Sequence, residues 1–153
     1  MRVRLGEYIL NAVTEPNPFV EIAVSAVRLH TGFNAVNLVN DIAILKLAAA
    51  VDFAANPHIR SICLPGAGSV FTGQRCWVAG FGANSFQSNQ YQTVMKEVDV
   101  PILDGPTCEA RFRASRLGAN FAYNQQSFIC AGGEAGRDAC TGDGGAGKYY
   151  PKI

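Results

Sequence analysis

The residues best placed to do chemistry lie in the segment DACTGDGGAG at positions 138–147, which sets Asp138, Cys140 and Asp143 among four glycines. A glycine-rich loop has an ordinary reading, a tight turn whose glycines supply positive φ. A phosphate cradle of backbone amides is the chemical alternative. No lysine follows in the Walker arrangement, however, and no strand-to-helix context is evident. The other candidates are Asp41 in NDIAILKL, the two histidines His30 and His58, and five cysteines, Cys63, Cys76, Cys108, Cys130 and Cys140. No two cysteines form the CxxC pair of a zinc ribbon. Such wide spacing suits a secreted disulfide framework, and the odd number leaves at least one thiol without a partner inside the chain.

These groups need a packed scaffold. With 48% apolar and 16% charged residues, the 153-residue chain reads as globular and long enough for one ordinary domain. A formal charge of +1 gives no electrostatic ground for a nucleic-acid or anionic-membrane partner. The loose basic cluster Arg111, Arg113 and Arg116 reads as a solvated helix face. No apolar run approaches the ~20 residues that span a bilayer. Met1–Val13 does not read as a signal peptide, because Glu7 interrupts it and no small-residue cleavage site follows. On that ground alone the chain would stay in the cytosol, whereas the cysteines argue for secretion. The two together are expected of a piece of a longer, secreted protein.

The apolar pattern predicts short strands over Val3–Leu10, Ile22–His30, Ile42–Leu47, Cys76–Phe81, Val94–Leu103 and Phe128–Ala131. In the fifth, Val98, Val100 and Ile102 alternate with Glu97 and Asp99, giving one buried and one wet face. IAILKL is continuously apolar; its length and β-branched content favour a buried strand over a buried helix. Turn chemistry at 14–18, 56–57, 65–68 and 82–84 separates the runs, the pattern of an all-β sandwich or barrel. One helix is predicted over Pro106–Leu117, with Asp104 as its cap. The stretch 65–73 reads as a crossing between two sub-structures.

Around the glycine-rich loop stand, in order, NDIAILKL at 40–47, SICLPG at 61–66, GQRCWVAGFG at 73–82, KEVDVPIL at 96–103 and FICAGG at 128–133. In this order and spacing the chain resembles the trypsin/chymotrypsin family of serine proteases from about Arg2 to Gly145. The nearer resemblance is to arthropod clip-domain serine protease homologues, the group related to prophenoloxidase-activating factors. The implied fold is all-β: two β-barrels with a cleft between them, of which this chain carries the later part of the first (1–64) and the earlier part of the second (74–153).

The resemblance also implies roles. Asp41 would be the triad aspartate, which orients a catalytic histidine; the bland reading is a strand-entry aspartate capping backbone donors. GDGG at 142–145 resembles the GDSGG loop, so Gly144 stands where the nucleophilic serine belongs and no acyl-enzyme can form. The amides of Gly142 and Gly144 would outline an oxyanion hole with no attacker to use it. Asp138 takes the position of the acid at the base of an Arg/Lys specificity pocket. Asp143 resembles the aspartate that pairs with a new N-terminus after zymogen cleavage, a role expected to be idle here. Neither His30 nor His58 lies in a TAAHC-type motif, and both read as structural. Cys108 and Cys130 are implied to pair; Cys76 and Cys140 would bridge beyond position 153 and Cys63 to an upstream region, leaving three free thiols. Glu7, Glu15 and Glu21 resemble the calcium loop of some family members, but the spacing does not align and a solvated acidic loop is expected instead.

No cofactor or metal is expected. The family continues past Gly145 with proline and an apolar strand, where this chain reads AGKYYPKI. Open barrel edges predict an aggregation-prone chain. The functional expectation is a secreted, catalytically dead protease homologue that binds protein partners in an immune protease cascade, with no nucleic-acid or membrane partner. The alternatives are an active trypsin-like endopeptidase cutting after Arg or Lys, which needs serine at 144, and a non-functional gene fragment.

Overall fold

Strand β1 (Arg2–Leu5) is short because Gly6 follows it with φ +79°. A side chain there would be strained, and its Cβ would meet the His58 ring at 3.0 Å. The strand expected to run to Leu10 therefore ends five residues early, and 6–19 forms a loop. β1 pairs antiparallel with β2 (Val20–Leu29), Arg2 opposite Ala23 and Leu5 opposite Val20. β2 pairs on its other edge with β3 (Ala43–Leu47), through a register shift between Val24 and Ala26. Ser25 sits at that bulge and its hydroxyl donates to the carbonyls of Lys46 and Leu47 at 3.1 and 3.2 Å.

The computed structural model describes residues 1–85, 87–88 and 90–149. The chain divides into two compact units, Met1–Ser69 and Val70–Ile153, a division that falls within the stretch 65–73. β1, β2 and β3 form the sheet of the first unit in the order β1-β2-β3. IAILKL is a strand there, but not a buried one. β3 is an edge strand; Ile44 and Leu45 in it, and Ile42 just before it, are exposed at 67%, 40% and 63%. Apolar composition alone read this run as core; its edge position leaves it open.

In the second unit the order is β5-β4-β6, all antiparallel, from β4 (Arg75–Gly80), β5 (Lys96–Pro101) and β6 (Lys148–Tyr149). The alternation read in β5 is realised. Val100 and Ile102 join Cys76 and Val78 in the buried core, against Phe71, Val98, Ala131, Ala139 and Ala146. β6 was not foreseen. It comes from the tail that departs from the family pattern, yet Trp77 and Val78 of β4 pair with Tyr149 and Lys148. Lys148 Nζ donates to the Ile129 carbonyl at 3.0 Å, and the Tyr149 hydroxyl donates to Glu97 Oε2 at 2.7 Å. Positions 150–153 of that tail lie outside the described residues.

Helix α1 (Gly105–Arg113) starts where the sequence placed it. The Asp104 carboxylate accepts from the Thr107 amide at 2.7 Å and the Thr107 hydroxyl at 2.8 Å, and these bonds hold it below the usual carboxylate range. The helix ends at Ala114 rather than Leu117. The Ser115 hydroxyl takes the Phe112 carbonyl at 2.7 Å, a local bond that competes with another helical turn. Phe128–Ala131 is likewise not a strand, since only Ala131 bridges, to Ile102. A disulfide from α1, Cys108–Cys130, pins that segment instead. The fold is all-β with one short helix, and no sheet closes into a barrel among the described residues. No helix among them is long and apolar enough to cross a membrane.

Two outcomes follow. Replacing Cys108 and Cys130 by alanine opens a loop of sequence separation 22 and lowers unfolding free energy by about 3 kcal/mol, measured by urea titration. Ile44→Lys places a charge on the exposed edge strand. It should raise the monomeric fraction in size-exclusion chromatography while changing stability by less than about 0.5 kcal/mol. A larger loss would mean that β3 is more tightly packed than its exposure shows.

Candidate functional site

The glycine-rich loop is fastened to the end of β4 by one carboxylate. Asp143 Oδ1 accepts from the Gly82 amide at 2.7 Å, and Oδ2 accepts from the Cys140 amide at 2.9 Å. A backbone bond joins the same two segments, Ala83 N–H to the Thr141 carbonyl at 2.9 Å, and within the loop Asp143 N–H closes a turn on the Cys140 carbonyl at 3.1 Å. The close approach requires glycine on the β4 side. A Cβ on Gly82 would lie 2.5 Å from the Asp143 carboxyl carbon. Asp143, for which the resemblance left an idle role, is thus fully occupied with backbone donors.

Gly142 and Gly144 differ in what they permit. Gly142 has φ +100°, and a Cβ there would run into the Tyr91 ring at 2.6 Å, so glycine is obligatory. Gly144 has no positive φ, and a Cβ there would meet nothing within 4 Å. Position 144 has room for a side chain and lacks one. Neither the Gly142 nor the Gly144 amide has a backbone acceptor among the described residues.

A cavity of about 210 Å³ opens beside this loop, lined among others by Gly80, Gly82, Lys96, Glu97, Asp138, Cys140 and Asp143. Three carboxylates against one ammonium make it acidic. Lys96 reaches Asn84 Oδ1 at 3.3 Å, while Glu97 accepts from Tyr149. That bond, with burial, pushes the Tyr149 hydroxyl up to about 12. Asp138, Cys140 and Asp143 therefore share one cavity. Cys140 is a partly exposed free thiol; Cys76 is fully buried and Cys63 exposed, both also unpaired. Burial pushes the Cys76 thiol above its ordinary value.

Sequence reasoning missed the side chains that steady the approach to Asp138. Arg75, the first residue of β4, grips Glu134 with both terminal nitrogens at 2.9 and 2.8 Å, and its Nε donates to Asp99 Oδ2 at 2.7 Å. Arg137 holds the other oxygen of Asp99 at 2.5 Å. The forked guanidinium suits such paired carboxylates. Arg75 holds both Asp99 and Glu134 below the usual carboxylate range. The available signal was Asp99 on the wet face of β5. Its partners Arg75 and Arg137 lie 24 and 38 positions away in sequence and had no local pattern.

Asp41 belongs to the first unit, exposed at the entry to β3, and its carboxylate has no partner among the described residues. Both histidines are engaged in that unit. His58 Nε2 lies 3.1 Å from the Pro18 carbonyl, and His30 Nδ1 accepts from the Gly32 amide at 3.0 Å. Glu7 departs from the solvated acidic loop expected of it, since it is only 8% exposed. Among the described residues no group of three or more His, Cys, Asp or Glu side chains could hold a metal ion.

Comparison with known proteins matches this arrangement to the Trypsin family over residues 1–147. The chain is 49% identical to the inactive CLIP domain-containing serine protease A3 of Aedes aegypti, over 98% of this chain and 33% of that protein. It is 39% identical to phenoloxidase-activating factor 2 of Galleria mellonella, over 99% of this chain and 50% of that protein. Trypsin-3 of Salmo salar is 32% identical over 95% of this chain and 56% of its own length. The chain thus spans between a third and about half of these relatives. By the extent of that match and by its ordered motifs, the chain belongs to the trypsin family.

Proposed function

We propose that the protein carrying this chain is a secreted, catalytically inactive member of the trypsin family. It acts by binding protein partners in an extracellular immune protease cascade that leads to phenoloxidase activation. The observation that carries this reading is Gly144. In the proposed alignment of GDGG with the serine loop, position 144 is that of the nucleophile, and it has no hydroxyl to attack with. Losing that serine costs on the order of a million-fold in turnover in a comparable protease. The names of two relatives, an inactive CLIP domain-containing protease and a phenoloxidase-activating factor, support the same direction. So do those of two further inactive CLIP domain-containing proteases of Anopheles gambiae, A8 and A28.

The remaining roles fit a retained surface rather than a working catalyst. Asp41 is proposed as the vestigial triad aspartate, and the unengaged amides of Gly142 and Gly144 as the relic of an oxyanion hole. Asp138, in its acidic cavity, is proposed to hold a basic side chain of a partner by charge-assisted hydrogen bonds. The exposed Cys63 and the unpaired Cys76 and Cys140 are proposed to form their bridges with polypeptide outside this chain, as an oxidising compartment permits. The proposed domain reading is a single trypsin-like domain of which residues 1–64 and 74–153 are parts of successive barrels.

Three outcomes test this. The whole secreted protein should neither hydrolyse arginyl or lysyl amides nor react with a fluorophosphonate probe; measurable turnover would overturn the proposal. In the present chain, Gly144→Ser should leave unfolding free energy within about 0.5 kcal/mol, because the space is open. It should also remain unlabelled by the same probe, because both histidines are engaged elsewhere. Asp138→Asn should weaken retention of the whole protein on an immobilised arginine-rich peptide without changing its melting temperature.

A further inference from the structure

The loop between β1 and β2 resembles the loop in which some members of the family hold calcium, and the residues here do not fit that ion. Calcium takes six to eight oxygens. In this loop most of the carboxylate oxygens are already used. Glu15 accepts from the Ile9 amide. Glu7 Oε1 accepts from the Asn11 amide at 3.2 Å. Both oxygens of Glu21 are taken, one by Arg2 and the other by Arg4 Nε at 3.0 Å. Glu7 Oε2 is buried with no hydrogen-bond partner among the described residues. That leaves, among the described residues, one carboxylate oxygen on Glu7 and one on Glu15 without a hydrogen bond, far short of the six to eight that calcium takes.

A cation is nevertheless present. Arg4 Nη1 lies 3.2 Å from Glu7 Oε1, while Nε of the same guanidinium holds Glu21. The guanidinium carbon sits 4.5 Å above the centroid of the Phe19 ring, at the far end of the loop. One side chain from β1 therefore touches the first turn of the loop, its last residues and the strand that follows. The Glu7 side chain is 6% exposed, so its charge sits in a poorly solvated place that demands a counter-charge.

We propose that Arg4 is the built-in cation of the 6–19 loop, closing it by bridging Glu7 and Glu21 against Phe19, so that the loop keeps its conformation independently of calcium. A divalent ion at Glu7 would have to approach a guanidinium already within hydrogen-bonding distance, and the repulsion opposes it. Arg4 is a positioning residue of this loop. Its fixed charge keeps Tyr8 and Val13, exposed at 55% and 91%, on a surface whose shape is insensitive to extracellular calcium.

The test is limited proteolysis of the loop by glutamyl endopeptidase and chymotrypsin, in chelator and in excess calcium chloride, with terbium luminescence as a direct binding probe. The wild-type chain is expected to be cut at the same rate in both conditions and to give no saturable terbium signal. Arg4→Gln is expected to be cut about tenfold faster, since proteolysis follows the open population and a buried carboxylate loses its partner. Arg4→Lys, which keeps the charge but not the fork, should fall between. Calcium protection or saturable terbium binding in the wild type would overturn the proposal, as would an Arg4→Gln loop cut no faster. The wild-type comparison decides the matter even if the glutamine variant unfolds.

Discussion

The second unit depends on the Asp143 carboxylate. It is an anion on a loop with almost no side chains, and each of its oxygens is met by a backbone amide, one from Gly82 and one from Cys140. A glycine-rich segment loses more chain entropy on ordering than any other, so it needs a strong local tether. Charge-assisted bonds to amides supply one. With the tether in place, Gly142 can sit between Tyr91 and Gly82, Asp138 and Cys140 face a common cavity, and the chain leaves in the direction that lets Lys148 and Tyr149 pair with β4. Without it, four glycines between 142 and 147 would have little reason to adopt a single path.

Two arginines play comparable parts near strand ends in the two sheets. Arg4 stands one residue before the end of β1 and gathers Glu7, Glu21 and Phe19. Arg75 begins one and gathers Asp99 and Glu134. In both cases a forked side chain on a regular strand disciplines an irregular segment that has little apolar surface of its own. Lysine could match the charge but not the simultaneous geometry. Surface ion pairs taken singly contribute little, and the weight of these two rests on one guanidinium serving several partners.

Much of the molecule was legible from residues in order. The strand character of β2, the alternation of β5 and the Asp104 cap could be read because each is a local pattern. The elements that could not be read depend on partners distant in sequence. β3 looked like core because its composition is apolar, whereas its exposure is decided by being an edge strand. β6 is two residues long and has no period; its pairing is set by the free edge of β4. The strand predicted through Leu10 failed at Gly6, whose positive φ answers to a histidine 52 positions further on. In the site, the motif marked Asp138, Asp143 and Gly144 as one local cluster, but the amide of Gly82 lies 61 positions from the carboxylate it meets.

The open space at Gly144 bears on how this loop can change over generations. A glycine codon and a serine codon can differ by a single base. At Gly142 any such change is barred twice, by backbone sign and by the Tyr91 ring. At Gly144 nothing in the fold bars it. No neighbouring side chain fills the space beside Gly144, so no structural ratchet blocks a serine at this position. What keeps glycine there must then be selection on what the protein does, or the absence of selection, rather than the mechanics of the chain.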